Sequence, residues 1–358
     1  DDDELAERLR DGQSLATPEL AVLVAYAKTN LTEQLLDTAL PDDPWYDRTL
    51  DAYFPSALRE RFAGQIQHHP LRREIIATLV ANDVVNTGGT TFVFRAMEET
   101  GADAATVVAA YSAMKEIYGY GDYFESIRAL PASVDGEFKA RVYLDARRLL
   151  DRAVRWLVNH RAEDEGIGAV VEYYAEPLQS LVADLPDLLR GQDAERYAEW
   201  RELSLEAGLP EDLASRRSVL FESFGLLDVV RLARQSGKDP RHVAEVYFRV
   251  YERFDAEGLL NQITDLPRSG RWKALARAAM RDDLYALLLS VTTAILDGDH
   301  GTGGTPGDGA ELVAAWEEEN ATRVERAQSF LAEIRESDAD DLAALSVALR
   351  QLRSVTAQ

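Results

Sequence analysis

Apolar residues recur along this chain at spacings of three and four, in stretches opened by Thr, Asp or Ser and closed by Gly or Pro, and alternating strand patterns are absent. A three-to-four period places apolar side chains on one stripe of a helix, and such a stripe is satisfied only against another helix, so the expectation is an all-α, multi-helical fold. Helix starts are expected at Thr17, at Thr32, at Asp43 with Pro44, at Thr90, at Asp103, at Asp239 with Pro240, and at Ser337 or Asp338. At the first of these Thr17 suits the N-cap, Pro18 the first helical position where its missing N–H costs nothing, and Glu19 the positive end of the dipole. In residues 71–86 the predicted buried face holds Ile75, Leu79 and Val80 with Ile76 and Val84 beside it, and Gly88 and Gly89 end the helix. Pro177 and Pro186 interrupt the apolar stretch 167–189, which predicts several short helices or one kinked helix. Residues 297–309, DGDHGTGGTPGDG, read as a flexible Gly-rich loop, and residues 310–336 with 338–352 as a charged helical hairpin.

An internal likeness appears at an offset of 136 residues. Gly101, Asp103, Val107, Tyr111, Glu116, Ile127, Leu130 and Pro131 match Gly237, Asp239, Val243, Tyr247, Glu252, Ile263, Leu266 and Pro267 without a gap. In each set a Gly ends one helix, an Asp caps the next, a Tyr lies on its buried face, and Leu-Pro stops a further short helix. Two similar helical units are therefore expected, over 49–165 and 166–296, preceded by N-terminal helices in 1–48 and followed by the loop 297–309 and the hairpin 310–358. The competing reading is that helix–turn–helix punctuation recurs by chance, and two copies are too few for a solenoid.

Charge and composition exclude several classes. The formal net charge is −24, with 63 acidic against 39 basic residues, which opposes a broad nucleic-acid footprint. No cysteine is present, so disulfides, thiolate metal sites and a cysteine nucleophile are ruled out, in keeping with a reducing cytoplasmic setting. No apolar run reaches the roughly 20 residues of a membrane span, and no membrane partner is expected. The chain opens without Met in an acidic stretch, DDDELAERL, as a piece of a longer polypeptide would.

Chemistry-bearing patterns are sparse. His68 and His69 are adjacent and so point to different faces of a helix, unlike a His-x-x-x-His zinc pair, while His160, His242 and His300 stand alone. Asp297, Asp299 and Asp308 sit at calcium-loop spacing, but Gly301 and Thr302 occupy positions where a ligand and an obligatory Gly belong. The same loop lacks G-x-G-x-x-G and follows a helix rather than a strand, so it is not a phosphate cradle. No catalytic residue, metal ligand or cofactor-binding residue is assigned. Arg72 and Arg73 lie in a first helical turn, where the dipole disfavours cations; they either reach another surface or pair with nearby carboxylates. Asn82 and Asn86, one turn apart, either bridge to a neighbouring backbone or fray the helix end. The crowd of Tyr118, Tyr120, Tyr123 and Phe124 is either a packed helix corner or an exposed contact for a partner.

Four segments carry a resemblance: LRREIIATLVANDVVNTGGTTF (71–92), LATPELAVLVAYAK (15–28), LPDDPW (40–45) and YFPSALRERF (53–62). The chain resembles the C-terminal helical region of the large bacterial NAD-specific glutamate dehydrogenases, densely over 15–131 and more loosely to 296. The resemblance implies a parent enzyme that deaminates L-glutamate with NAD on an upstream Rossmann-type domain. The dinucleotide glycines and catalytic lysine of that domain lie outside this chain, which needs no cofactor of its own. It implies as partners the upstream catalytic domain, which the N-terminal helices would face, and further copies of the full-length protein in a homo-oligomer. On this reading Arg72, Arg73, Asn82 and Asn86 are the candidate interdomain contacts. The alternative is an effector-sensing domain holding an amino acid between the two helical units. Thr17 and Thr87 depart from the resemblance, since arginines are expected at both positions.

Overall fold

The computed structural model describes residues 3–161, 165–266, 271–298, 308–336 and 342–353. Among these, every regular element is helical and no strand occurs. The chain divides into two compact units, residues 1–128 with 140–175 and residues 129–139 with 176–358.

Unit 1 is built from α1 (Asp3–Arg10), α2 (Thr17–Leu36), α3 (Asp47–Tyr53), α4 (Ser56–Gln67), α5 (Arg72–Gly88), α6 (Phe92–Thr100), α7 (Ala104–Ile117) and α8 (Tyr120–Arg128), with most of α9 (Gly136–His160) and the first part of α10 (Ile167–Leu188). Its centre is α7, which has no exposed residue; Val107, Val108, Tyr111, Met114 and Ile117 are all buried. A helix apolar on all sides has to be surrounded, and α2, α5, α6 and α8 pack against it. In α5 the buried line runs through Ile76, Val80 and Val84 with Ala77 and Ala81, while Ile75 and Leu79 are only half-buried. The buried face is thus rotated from the expected one, because the two alanines admit the close approach of α2.

Unit 2 holds the rest of α10, then α11 (Gly191–Glu206), α12 (Glu211–Ser218), α13 (Leu226–Ser236), α14 (Pro240–Arg253), α15 (Ala256–Asp265), α16 (Arg271–Asp297), α17 (Gly309–Glu319), α18 (Ala321–Glu336) and α19 (Leu342–Arg353). Its centre is α14, with Val243, Tyr247, Phe248 and Tyr251 buried, packed by α11, α13, α15, α16 and α17. The bounds of α14 are those of α7 moved by the offset seen in the sequence. Asp103 accepts from the Thr106 N–H (2.8 Å) and Asp239 from the His242 N–H (3.0 Å). Gly101 and Gly237, both left-handed, close the preceding helices.

Several local expectations shift. The N-cap of α2 is Ala16 rather than Thr17, and Glu19 reaches back to the Ala16 N–H (2.6 Å). Thr32 starts nothing; it lies within α2, its hydroxyl bonded to the Lys28 carbonyl. Thr90 does not cap α6, which begins at Phe92. A single helix, α10, contains both Pro177 and Pro186. The first arm of the C-terminal hairpin is broken at Asn320, whose backbone N–H and side-chain amide both bond to the Trp316 carbonyl. Ser337, Asp338 and most of the Gly-rich loop lie outside the described residues. Tyr118, Tyr120, Tyr123 and Phe124 are all buried and in mutual ring contact, so they are a packed corner rather than an exposed contact. No helix among the described residues is long and apolar enough to cross a membrane.

Because each caps the central helix of its unit, Asp103→Ala and Asp239→Ala should each lower stability by about 1 kcal/mol in urea denaturation. Unchanged midpoints would show that the caps are dispensable.

Candidate functional site

Arg72 and Arg73 stand in the first turn of α5, and the structure turns both inward. Arg72 donates to the Pro41 carbonyl (2.7 Å) and to Asp47 (2.6 Å). Arg73 donates to the carbonyls of Leu36 and Thr38 (2.8 Å each) and pairs with Asp42. Leu36 is the last residue of α2, so this guanidinium covers carbonyls left without helical partners at the negative end of that dipole. The unfavourable place at the head of α5 is thereby a favourable one at the tail of α2. Of the two alternatives open in the sequence, pairing with nearby groups is realised within unit 1.

Along α5, Asn82 is half-buried and Asn86 exposed. The residue between them that the sequence reading passed over, Asp83, holds Lys115 through both carboxylate oxygens (2.7 Å) and accepts from the Tyr111 hydroxyl (3.1 Å). Burial first, and then the Asp83 charge, pushes the Tyr111 phenol well above its ordinary range, so it stays a neutral donor. The Tyr46 hydroxyl pairs with the Ser112 hydroxyl of α7 at 2.8 Å, and burial raises its titration above the ordinary range. Gly89 ends α5 with φ of 95°, and the Arg147 guanidinium lies where a side chain would be. Only glycine fits there.

Unit 2 contains a charge cluster that no sequence motif announces, because its members are spread over 193–257. Arg196 faces Asp193 (3.6 Å), Glu222 (2.5 Å) and Glu257. One guanidinium cannot neutralise three carboxylates. Burial raises Glu222 and Asp193 above the usual carboxylate range, and the Arg196 charge offsets this only in part.

Among the described residues no group of three or more His, Asp or Glu is placed to hold a metal ion. The strand–loop–helix unit that receives a dinucleotide pyrophosphate has no counterpart, since no strand is present among them. An open hollow of about 570 Å³ is lined by Tyr197, Arg201, Glu202, Glu211 and Ser215, and its Arg201 and Glu211 pair with each other. A second, of about 410 Å³, is lined by Arg249, Glu252, Arg253, Val313 and Glu317, with Arg253 and Glu317 paired.

The family described as glutamate dehydrogenase, C-terminal, matches residues 12–354. The chain belongs to that family. It is 40% identical to an NAD-specific glutamate dehydrogenase of Mycobacterium tuberculosis, over 99% of this chain and 21% of the relative. It is 34% identical to enzymes of the same name from Pseudomonas aeruginosa, over 98% of the chain and 21% of the relative, and Halomonas elongata, over 98% and 22%. The chain thus spans about a fifth of the length of these curated relatives, and it corresponds to a C-terminal region of the large NAD-specific glutamate dehydrogenases.

Within this glutamate dehydrogenase C-terminal region, Thr87 is buried near the C-terminal end of α5, which suits a short side chain where the resemblance implies arginine. Thr17 is exposed in the first turn of α2, and nothing in the structure explains its departure. Removing the Arg73 guanidinium by Arg73→Met should cost about 2 kcal/mol of unit 1 stability by urea denaturation, because helix-end carbonyls lose charged donors; an unchanged midpoint would count against the brace. For Glu222, a carboxyl raised in the folded state adds stability below its ordinary range and loses that contribution as pH rises through its folded value. The stability of Glu222→Gln relative to the unsubstituted chain should therefore improve between pH 5 and pH 8. A difference independent of pH would contradict the burial argument.

Proposed function

We propose that this chain is the non-catalytic helical part of an enzyme that converts L-glutamate, NAD and water to 2-oxoglutarate, ammonia and NADH in the cytoplasm. In this reading it docks on the catalytic part that precedes it and steadies that part or its oligomer. The observation that carries the proposal is the combination of family and extent: relatives named NAD-specific glutamate dehydrogenase match across nearly all of this chain, which spans only a fifth of theirs. The spending of charged side chains on internal braces supports a structural part rather than a reactive one. NAD would be held by the preceding part, because the described residues have no strand-bounded glycine turn to receive it. Asn82 and Asn86 are proposed as direct interdomain contacts, and Arg72 and Arg73 as residues that serve the contact by fixing the ends of α5 and α2. The shared caps and bounds of α7 and α14 support descent of the two units from one duplicated helical unit.

The test is glutamate-dependent NADH formation by the whole polypeptide and by one truncated just before Leu15. Loss of turnover or of assembly on truncation is the expected outcome. A truncated enzyme with full activity that no longer responds to amino-acid effectors would replace the docking role with a sensing one.

A further inference from the structure

The first fourteen residues of α2, residues 17–30, contain no buried side chain. Yet residues 20–27 read LAVLVAYA, eight consecutive apolar residues distributed around the whole helix. Leu20 is 50% exposed, Val22 39% and Tyr26 53%, and the helix enters the core of unit 1 only at Leu31 and Leu35. Isolated apolar side chains on a surface are ordinary, but a helix apolar on every side is one that neighbours enclose. Exposure alone does not single α2 out: α4 is exposed at every residue except Ile66 and the half-buried Gln67. That helix carries Arg59, Glu60, Arg61, Gln65 and Gln67, and so is compatible with water. The first half of α2 has Glu19, already paired with Arg8, and Lys28.

We infer that the N-terminal half of α2 is the seat on which the preceding, catalytic part of the same polypeptide packs, through the uncharged apolar run 20–27, about 12 Å long by the helical rise. This inference rests on the proposed docking and names its surface. Three observations choose the occupant. The relatives extend about four-fifths of their length beyond the match, and the matched family is their C-terminal region. The match begins at residue 12, five residues before α2, so in such a protein the preceding polypeptide is tethered beside this helix at high effective concentration. The segment also lacks the Lys- and Arg-rich polar face with which an interfacial helix meets a membrane surface.

The experiment places the photo-cross-linking residue p-benzoylphenylalanine at Tyr26, and separately at Val22, in the full-length protein. The exposed Arg326 in unit 2 serves as the control position. The expected result at both test positions is an adduct at monomer mass, at least fivefold more abundant than at the control, mapping to a peptide before this region. An adduct at twice the monomer mass would make a second copy the occupant and overturn the inference, as would yields no higher than the control. The readout is contact and not turnover, so it stands or falls separately from the activity of the parent enzyme.

Discussion

A helix with apolar side chains on every side cannot face water, and this constraint organises the molecule. It makes α7 the centre of unit 1, enclosed by helices of that unit, while α14, the centre of unit 2, is amphipathic and buries one broad face against its neighbours with Arg241, Glu252 and Arg253 left exposed. The surrounding helices need only one apolar stripe. The first half of α2 has the same composition without the same enclosure, and the inferred docking seat follows from that mismatch.

The charged side chains are subordinate to this packing. Arg72 and Arg73 cover the carbonyls beyond the end of α2 and its following turn, and Asp83 anchors Lys115 and Tyr111 across the contact of α5 with α7. In unit 2, Arg196 sits among three carboxylates, and burial works against the ionisation of two of them, Asp193 and Glu222. Groups engaged in this way fix the mutual placement of helices and are poorly available for reaction chemistry. The chain itself corresponds to a C-terminal region of the large NAD-specific glutamate dehydrogenases, about a fifth of their length.

Much of the fold was legible in the sequence. Helix caps are local events, fixed by one side chain and the N–H groups two or three residues on, so Asp103 and Asp239 could be read directly and cap as expected, while Asp43 caps only the short 3-10 turn Pro44–Tyr46 that leads into α3. Thr32 and Thr90 misled because a threonine hydroxyl can equally bond to a carbonyl within a helix or stand in a turn. The candidate contacts were legible only as residues in odd places. Two arginines at the head of a helix are anomalous by the local dipole rule, and what resolves the anomaly is a second helix end more than thirty positions away in the chain.

The sequence by itself determined the helical class, the main caps and the family, since periodicity, capping and motif identity depend on neighbouring residues alone. Only the tertiary structure decided which face of α5 is buried, that Arg73 serves α2, that the tyrosine crowd is core, and that Arg196 gathers three acids. Each of those depends on which distant segments come together, and that is settled by the summed burial of apolar side chains in the folded units, a quantity no local pattern contains.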